Sequence, residues 1–115
     1  MIKHIQISIL LGIYGKLLTN KQLEVMNYYY NEDLSLSEIA EKYGSSRQAI
    51  QDLIKKGESK LLFFESRLGM MQKNEVNRKK VKNIKRKMNQ LKNTSKEELD
   101  TAIDSINRDI NSIVE

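Results

Sequence analysis

The stretch Ser35-Leu-Ser-Glu-Ile-Ala-Glu-Lys-Tyr-Gly-Ser-Ser-Arg-Gln-Ala-Ile-Gln-Asp-Leu-Ile54 permits few folds. Ser35 and Glu38 have the spacing of a capping box, and Leu36, Ile39, Ala40 and Tyr43 follow at helical steps. Gly44 comes directly after, where a left-handed residue is wanted to turn the chain. Ser45 with Gln48 reads as a further box that opens a second helix, which drops Ile50 and Leu53 onto the first. Two helices crossing at a sharp angle tolerate only a small side chain at their contact. Ala40 is that residue, and Gly44 follows it by four positions. The pattern predicts a helix-turn-helix, with Ile39 and Tyr43 completing a miniature core.

What remains outward on the second helix is polar and mildly basic: Ser46, Arg47, Gln48, Gln51, Asp52 and Lys55. Arg can bond guanine bidentately, Gln can do the same with adenine, and a helix N-terminus favours a phosphate. Arg47, Gln48 and Gln51 are the expected base-edge contacts of a DNA reader. Ser46, Lys55 and Lys56 are the expected phosphate contacts, with Lys21 and Lys42 as further candidates. The spacing specifies the motif more firmly than its ligand, since some helix-turn-helix units contact protein or RNA and others serve only as scaffold.

The rest of the chain also reads as helix. It has no Pro and five Gly in 115 residues, so little interrupts the backbone. A first helix is expected from about Lys3 to Leu18, with Ile2, Ile5, Ile9, Ile13 and Leu17 forming an apolar stripe. Gly12 and Gly15 weaken it and mark close packing or fraying. Thr19 with Gln22 is a capping box for a second helix that buries Leu23, Met26, Tyr29 and Tyr30 and ends at Asn31-Glu32-Asp33. The helix carrying Ala49, Ile50, Leu53, Ile54, Leu61, Leu62 and Leu68 can run to Leu68, with Gly57 a weak point and Gly69 a stop. Two heptad-like stripes follow: Val81, Ile84, Met88, Leu91, and Leu99, Ile103, Ile106, Ile110, Ile113. Asn93-Thr94-Ser95 turns the chain between them, Ser95 with Glu98 caps the last helix, and the short turn implies an antiparallel hairpin. The expected organisation is one domain over 1–115, with a helix-turn-helix core at 19–70 and a charged hairpin at 73–115.

The formal charge of +5 is unevenly spread. Lys73 to Lys96 holds 10 basic residues against the single acid Glu75, whereas Glu97 to Glu115 holds 6 acids against Arg108. The basic run Arg78, Lys79, Lys80, Lys82, Lys85, Arg86 and Lys87 admits three readings. It can be a solvated face paired with the acidic last helix, a second nucleic-acid patch, or a membrane-surface patch. Asp100, Asp104 and Asp109 favour the first. The stripes can close within one chain or across a pair of chains. Helix-turn-helix proteins commonly dimerise, so a homodimer through the C-terminal helices is expected.

Several chemistries have no residues to carry them. Without Cys there is no disulfide, thiol nucleophile or Cys-based zinc site, which fits a reducing, cytoplasmic setting. His4 is the sole histidine, and no phosphate-cradling loop, nucleophile elbow or paired-carboxylate motif occurs. No enzymatic activity, metal or cofactor is expected. Glu97, Glu98 and Asp100 open a helix, where acids favour the dipole. The apolar run Ile5 to Leu18 is shorter than a membrane span and lacks a signal-peptide cleavage site. Tyr28-Tyr29-Tyr30 could stack bases, but two of three adjacent residues on an amphipathic helix must face inward, which favours a core role.

Residues Leu18 to Leu68 resemble the YlxM family, small bacterial proteins with a helix-turn-helix similar to sigma-factor region four. The stretches that carry the resemblance are Leu18-Thr-Asn-Lys-Gln22, Tyr28-Tyr29-Tyr30, Leu36-Ser-Glu-Ile-Ala-Glu41 and Ser46-Arg-Gln-Ala49. The long helix and charged helical hairpin agree in kind. The resemblance implies an all-α fold and a regulatory or accessory role in the signal recognition particle pathway, because the family's genes lie beside those for the particle's protein and its receptor. It leaves two expectations open: a DNA-binding regulator, or an accessory protein that binds the particle's RNA or protein and uses the helix-turn-helix as scaffold.

Overall fold

A computed structural model describes residues 2–114, apart from the side chains of Ile2 and Asn93. Six α-helices follow one another: α1 (Ile2–Tyr14), α2 (Asn20–Tyr30), α3 (Leu36–Tyr43), α4 (Arg47–Leu68), α5 (Met70–Gln90) and α6 (Lys96–Val114). Short 3-10 turns at Gly15–Leu17 and Leu91–Asn93 link α1 to α2 and α5 to α6. No strand occurs among the described residues. The chain divides into two compact units, Met1–Met71 and Gln72–Glu115.

In the first unit, α4 packs against α1, α2 and α3 around Ile7, Leu10, Tyr14, Val25, Met26, Ile39, Ile50 and Leu61. Local chemistry sets the helix ends. The Thr19 hydroxyl accepts from the Gln22 amide while the Gln22 side chain accepts from the Thr19 amide, and Ser35 and Glu38 make the same reciprocal pair. Each box satisfies two amides that the helix leaves without a partner. Gly69, at φ 60°, closes α4 in the left-handed conformation, as a stop there requires.

Two local expectations are corrected. The inward face of α1 is Ile7, Leu10, Leu11 and Tyr14, continued by Leu18, whereas Ile5, Ile9 and Leu17 are exposed and Ile13 is half-buried. The helix is apolar almost all round, so two faces satisfy the same periodicity; the side chain of Ile2, assigned to the other stripe, lies outside the described residues. Gly57 is no weak point either. It is buried against Met26, where a Cβ would run into the sulfur, so its bareness lets α2 and α4 close on each other.

In the second unit, α5 and α6 are joined by polar contacts. Lys80 Nζ donates to the Ser112 carbonyl (3.1 Å), and Lys87 Nζ donates to Ser105 Oγ (2.8 Å) and to Asp109 Oδ2 (2.7 Å). These partners rise along α5 as they fall along α6, the order of an antiparallel pair. Ile84 and Ile106 are the residues buried there. The Glu98 amide donates to the backbone carbonyl of Ser95 at the start of α6.

Candidate nucleic-acid interface

Helix α3 ends at Gly44, at φ 61° and ψ 34°. The next amide, Ser45 N, donates back to the Ala40 carbonyl at 3.0 Å, a Schellman closure. The Ser45 amide is thus committed to closing α3, and the cap of α4 is the extended Ser46 (φ −78°, ψ 155°), whose hydroxyl accepts from Ala49 N at 3.0 Å. The capping box expected from Ser45 and Gln48 does not form; a one-sided cap by Ser46, one residue later, takes its place, because Ala49 has no polar side chain to reciprocate. The Ser45 hydroxyl is buried without a partner among the described residues, and Gln48 Nε2 instead donates to Asp52 Oδ1 at 2.9 Å.

Ala40 lies buried where α3 meets α4, beside fully buried Ile39 and Ile50. Tyr43 and Leu53 pack at the edge of the same core. The Tyr43 hydroxyl donates to Glu24 on α2; burial, then the bond to this carboxylate, push the phenol well above its ordinary pKa. These contacts fix the rotation of α4 and so decide which of its side chains face water.

Ser46, Arg47, Gln48, Lys55 and Lys56 are exposed on α4 or at its cap, and Gln51 is half-buried. Ser46 spends its acceptor on the cap yet keeps a hydroxyl proton to donate. Asp52 places a carboxylate among these groups and holds Gln48, so the face is less basic than a count of cations implies. Lys21 and Lys42 lie over the rings of Tyr43 (5.6 Å) and Tyr28 (5.1 Å), each keeping its charge on the surface. Tyr30 is buried and Tyr28 and Tyr29 are packed against the core, the inward disposition expected of the tyrosine run.

One cation beside this face had no signal in its own segment. Lys3 of α1 reaches Glu58 of α4 at 3.5 Å and shares with His4, Tyr29, Gln51 and Lys55 the lining of a cleft along α4. Only the packing of α1 alongside α4 brings it there.

The expected second patch lies on α5, in the other unit. Arg78 is clamped by Glu75, Nε to Oε2 at 3.1 Å and NH2 to Oε1 at 2.7 Å, which holds the Glu75 carboxyl below its ordinary pKa. Arg86 donates to Asn83 and Lys80 to Ser112, while Lys79, Lys82 and Lys85 are exposed. Among the described residues no group of three or more His, Cys, Asp or Glu side chains is placed to hold a metal ion. No described helix is long and apolar enough to cross a membrane.

A capped helix, a left-handed glycine turn, a small residue at the crossing and a second helix with a polar outer face define a helix-turn-helix protein. The family model described as "Putative helix-turn-helix protein, YlxM / p13 like" matches residues 1–102, and the chain belongs to this family, UPF0122. A UPF0122 protein of Clostridium acetobutylicum is 44% identical over 113 residues, 97% of each chain. Relatives of the same name in Clostridium kluyveri and Clostridium botulinum are 51% identical over 72 residues and 49% identical over 80 residues. Those matches span 63% and 70% of this chain and 65% and 73% of theirs.

Proposed function

We propose that this chain is a cytoplasmic DNA-binding regulator that reads a duplex with the first turns of α4. The observation that carries the reading is the exposure of Arg47 and Gln48 at the start of a helix whose opposite face is locked on Ile39 and Ala40. A guanidinium and two amides within two turns supply the donors and acceptors that a major groove distinguishes, while Ser46, Lys55 and Lys56 supply phosphate contacts. No step of this reading calls for catalysis.

A second reading, an accessory protein for the signal recognition particle, draws on α5. Lys79, Lys82 and Lys85 are exposed cations on one helix, suited to the phosphates of an RNA. Fluorescence anisotropy against pooled genomic duplex DNA and against the particle's RNA, each across a salt series, separates the two. Duplex binding that persists at raised salt and collapses in Arg47→Ala supports the regulator. Binding confined to RNA, lost on replacing Lys79, Lys82 and Lys85 with Ala and indifferent to Arg47→Ala, overturns it in favour of the accessory role.

A further inference from the structure

The α5/α6 hairpin has two unlike sides. At about 100° per residue, Asn83 and Lys87 turn away from Ile84 in one sense, and Val81 and Met88 in the other. On α6, Ser105 and Asp109 turn from Ile106 in the first sense, and Ile103 and Ile110 in the second. Because the helices run antiparallel, turns of the same sense fall on the same side of the pair. One side is therefore polar and closed, through Lys87 on Ser105 and Asp109 and Asn83 on Asp109. The other is apolar and open. Val81, Met88, Ile103 and Ile110 keep 40%, 54%, 42% and 43% of their surface exposed, against 8% for Ile84 and Ile106 between them.

We propose that this open side seats a second copy of the same chain, the two hairpins closing into a four-helix bundle with α5 of each copy lying on α6 of the other. Charge argues for this occupant and this pairing. Outside the apolar row, α5 carries Lys82 and Lys85, and α6 carries Asp100 and Asp104, all exposed. Placing α5 on the other copy's α5 sets lysine rows against each other, which is repulsive. A two-fold axis along the hairpin sets lysines against aspartates in both halves at once, and the helices still meet antiparallel. One chain thus carries both the surface and its complement. Two helices alone bury few residues, whereas four enclose a core of both stripes. The proposal is independent of what α4 binds.

Sedimentation velocity of the full chain at tens of micromolar tests it. Twice the 13.4 kDa chain mass is expected for the wild type. The double variant Met88→Lys with Ile110→Lys should sediment as a monomer with unchanged far-UV circular dichroism, since both positions are already half exposed. Lys85→Glu should weaken the dimer, and adding Asp104→Lys should restore it. This exchange at exposed sites decides the matter even if the apolar double variant loses helix. Ile9→Lys, on the exposed stripe of α1, should leave the dimer intact. A monomeric wild type, a dimer that survives Met88→Lys with Ile110→Lys, a dimer lost in Ile9→Lys, or no restoration by Asp104→Lys would each overturn the proposal.

Discussion

The hydroxyl of Tyr14 donates to Oε1 of Glu65 at 2.8 Å, joining residues 51 positions apart, and accepts from the amide of Met70 at 3.1 Å. Glu65 Oε1 in turn accepts from the amide of Met71 at 3.0 Å. The first two amides of α5 are thereby satisfied by side chains of α1 and α4, directly after the helix break at Gly69. Helix starts need such partners, and no capping residue precedes Met70 to provide them.

Tyr14→Phe removes the hydroxyl and leaves the Met70 amide without this acceptor, so the urea midpoint should fall with little change in slope. Burial, then the bond to Glu65, raise the Tyr14 phenol above its ordinary value of 10.0. Since the folded value exceeds the unfolded one, the stability linked to it is full below pH 10.0 and is lost as the pH climbs through the folded value. Urea titrations in the alkaline range should show that decline in the wild type and a smaller one in Tyr14→Phe.

Gly57→Ala places a methyl in steric overlap with the Met26 sulfur, and Met26 is itself fully buried. Overpacking of this kind costs about 1–3 kcal/mol. Met26→Ala leaves a cavity of its own, but it should cost less in the Gly57→Ala background than in the wild type, because the new methyl fills part of the space the thioether vacates. Chemical denaturation of the two single variants and the double variant reads this coupling directly.

Ala40→Leu should force α3 off α4. About 1–3 kcal/mol of stability should be lost, together with any duplex affinity that depends on how α4 is presented. Anisotropy and urea melts on the same preparation distinguish misplacement of α4 from global unfolding. A variant that is stable and still binds fully would contradict the crossing argument.

Glu38 is held below its ordinary value of 4.5 by the Ser35 amide and hydroxyl. A depressed folded value contributes stability above pH 4.5 that disappears as the pH falls through the folded value. Glu38→Gln keeps a hydrogen-bond acceptor but cannot titrate, so its stability should vary less across the acid range. Thermal melts at stepped pH measure the difference.

The local features of this fold were legible because they are written in neighbouring residues. Thr19 with Gln22, Ser35 with Glu38, Gly44 and Gly69 each act within one turn of chain, and each occupies the expected place. The cap of α4 falls one residue after the expected position because Ser45 and Ser46 are both competent caps, and only the geometry leaving Gly44 chooses between them. The buried face of α1 and the closeness of Gly57 to Met26 were illegible for a different reason. Both depend on which distant helix arrives, and a helix apolar all round carries no periodic signal of its own. In the candidate interface the residue types could be named from the spacing, but the tie between Gln48 and Asp52 and the arrival of Lys3 beside Lys55 required the packed structure.

The two-sided apolarity of α1 has a consequence for how this chain selects one native arrangement. If burying greasy surface were the sole criterion, α1 could spin about its axis and offer Ile5 and Ile9 to the core at little penalty. Its polar side chains remove that freedom. The His4 ring nitrogen meets the Tyr30 carbonyl at 3.1 Å, Ser8 donates to Asn31 at 2.7 Å, and Tyr14 reaches Glu65. Three hydrogen bonds spread along the helix act as a key that only one rotation fits. Adhesion comes from the isoleucines and leucines, and uniqueness comes from a histidine, a serine and a tyrosine. Stripped of all three, α1 would keep its helicity and lose its address.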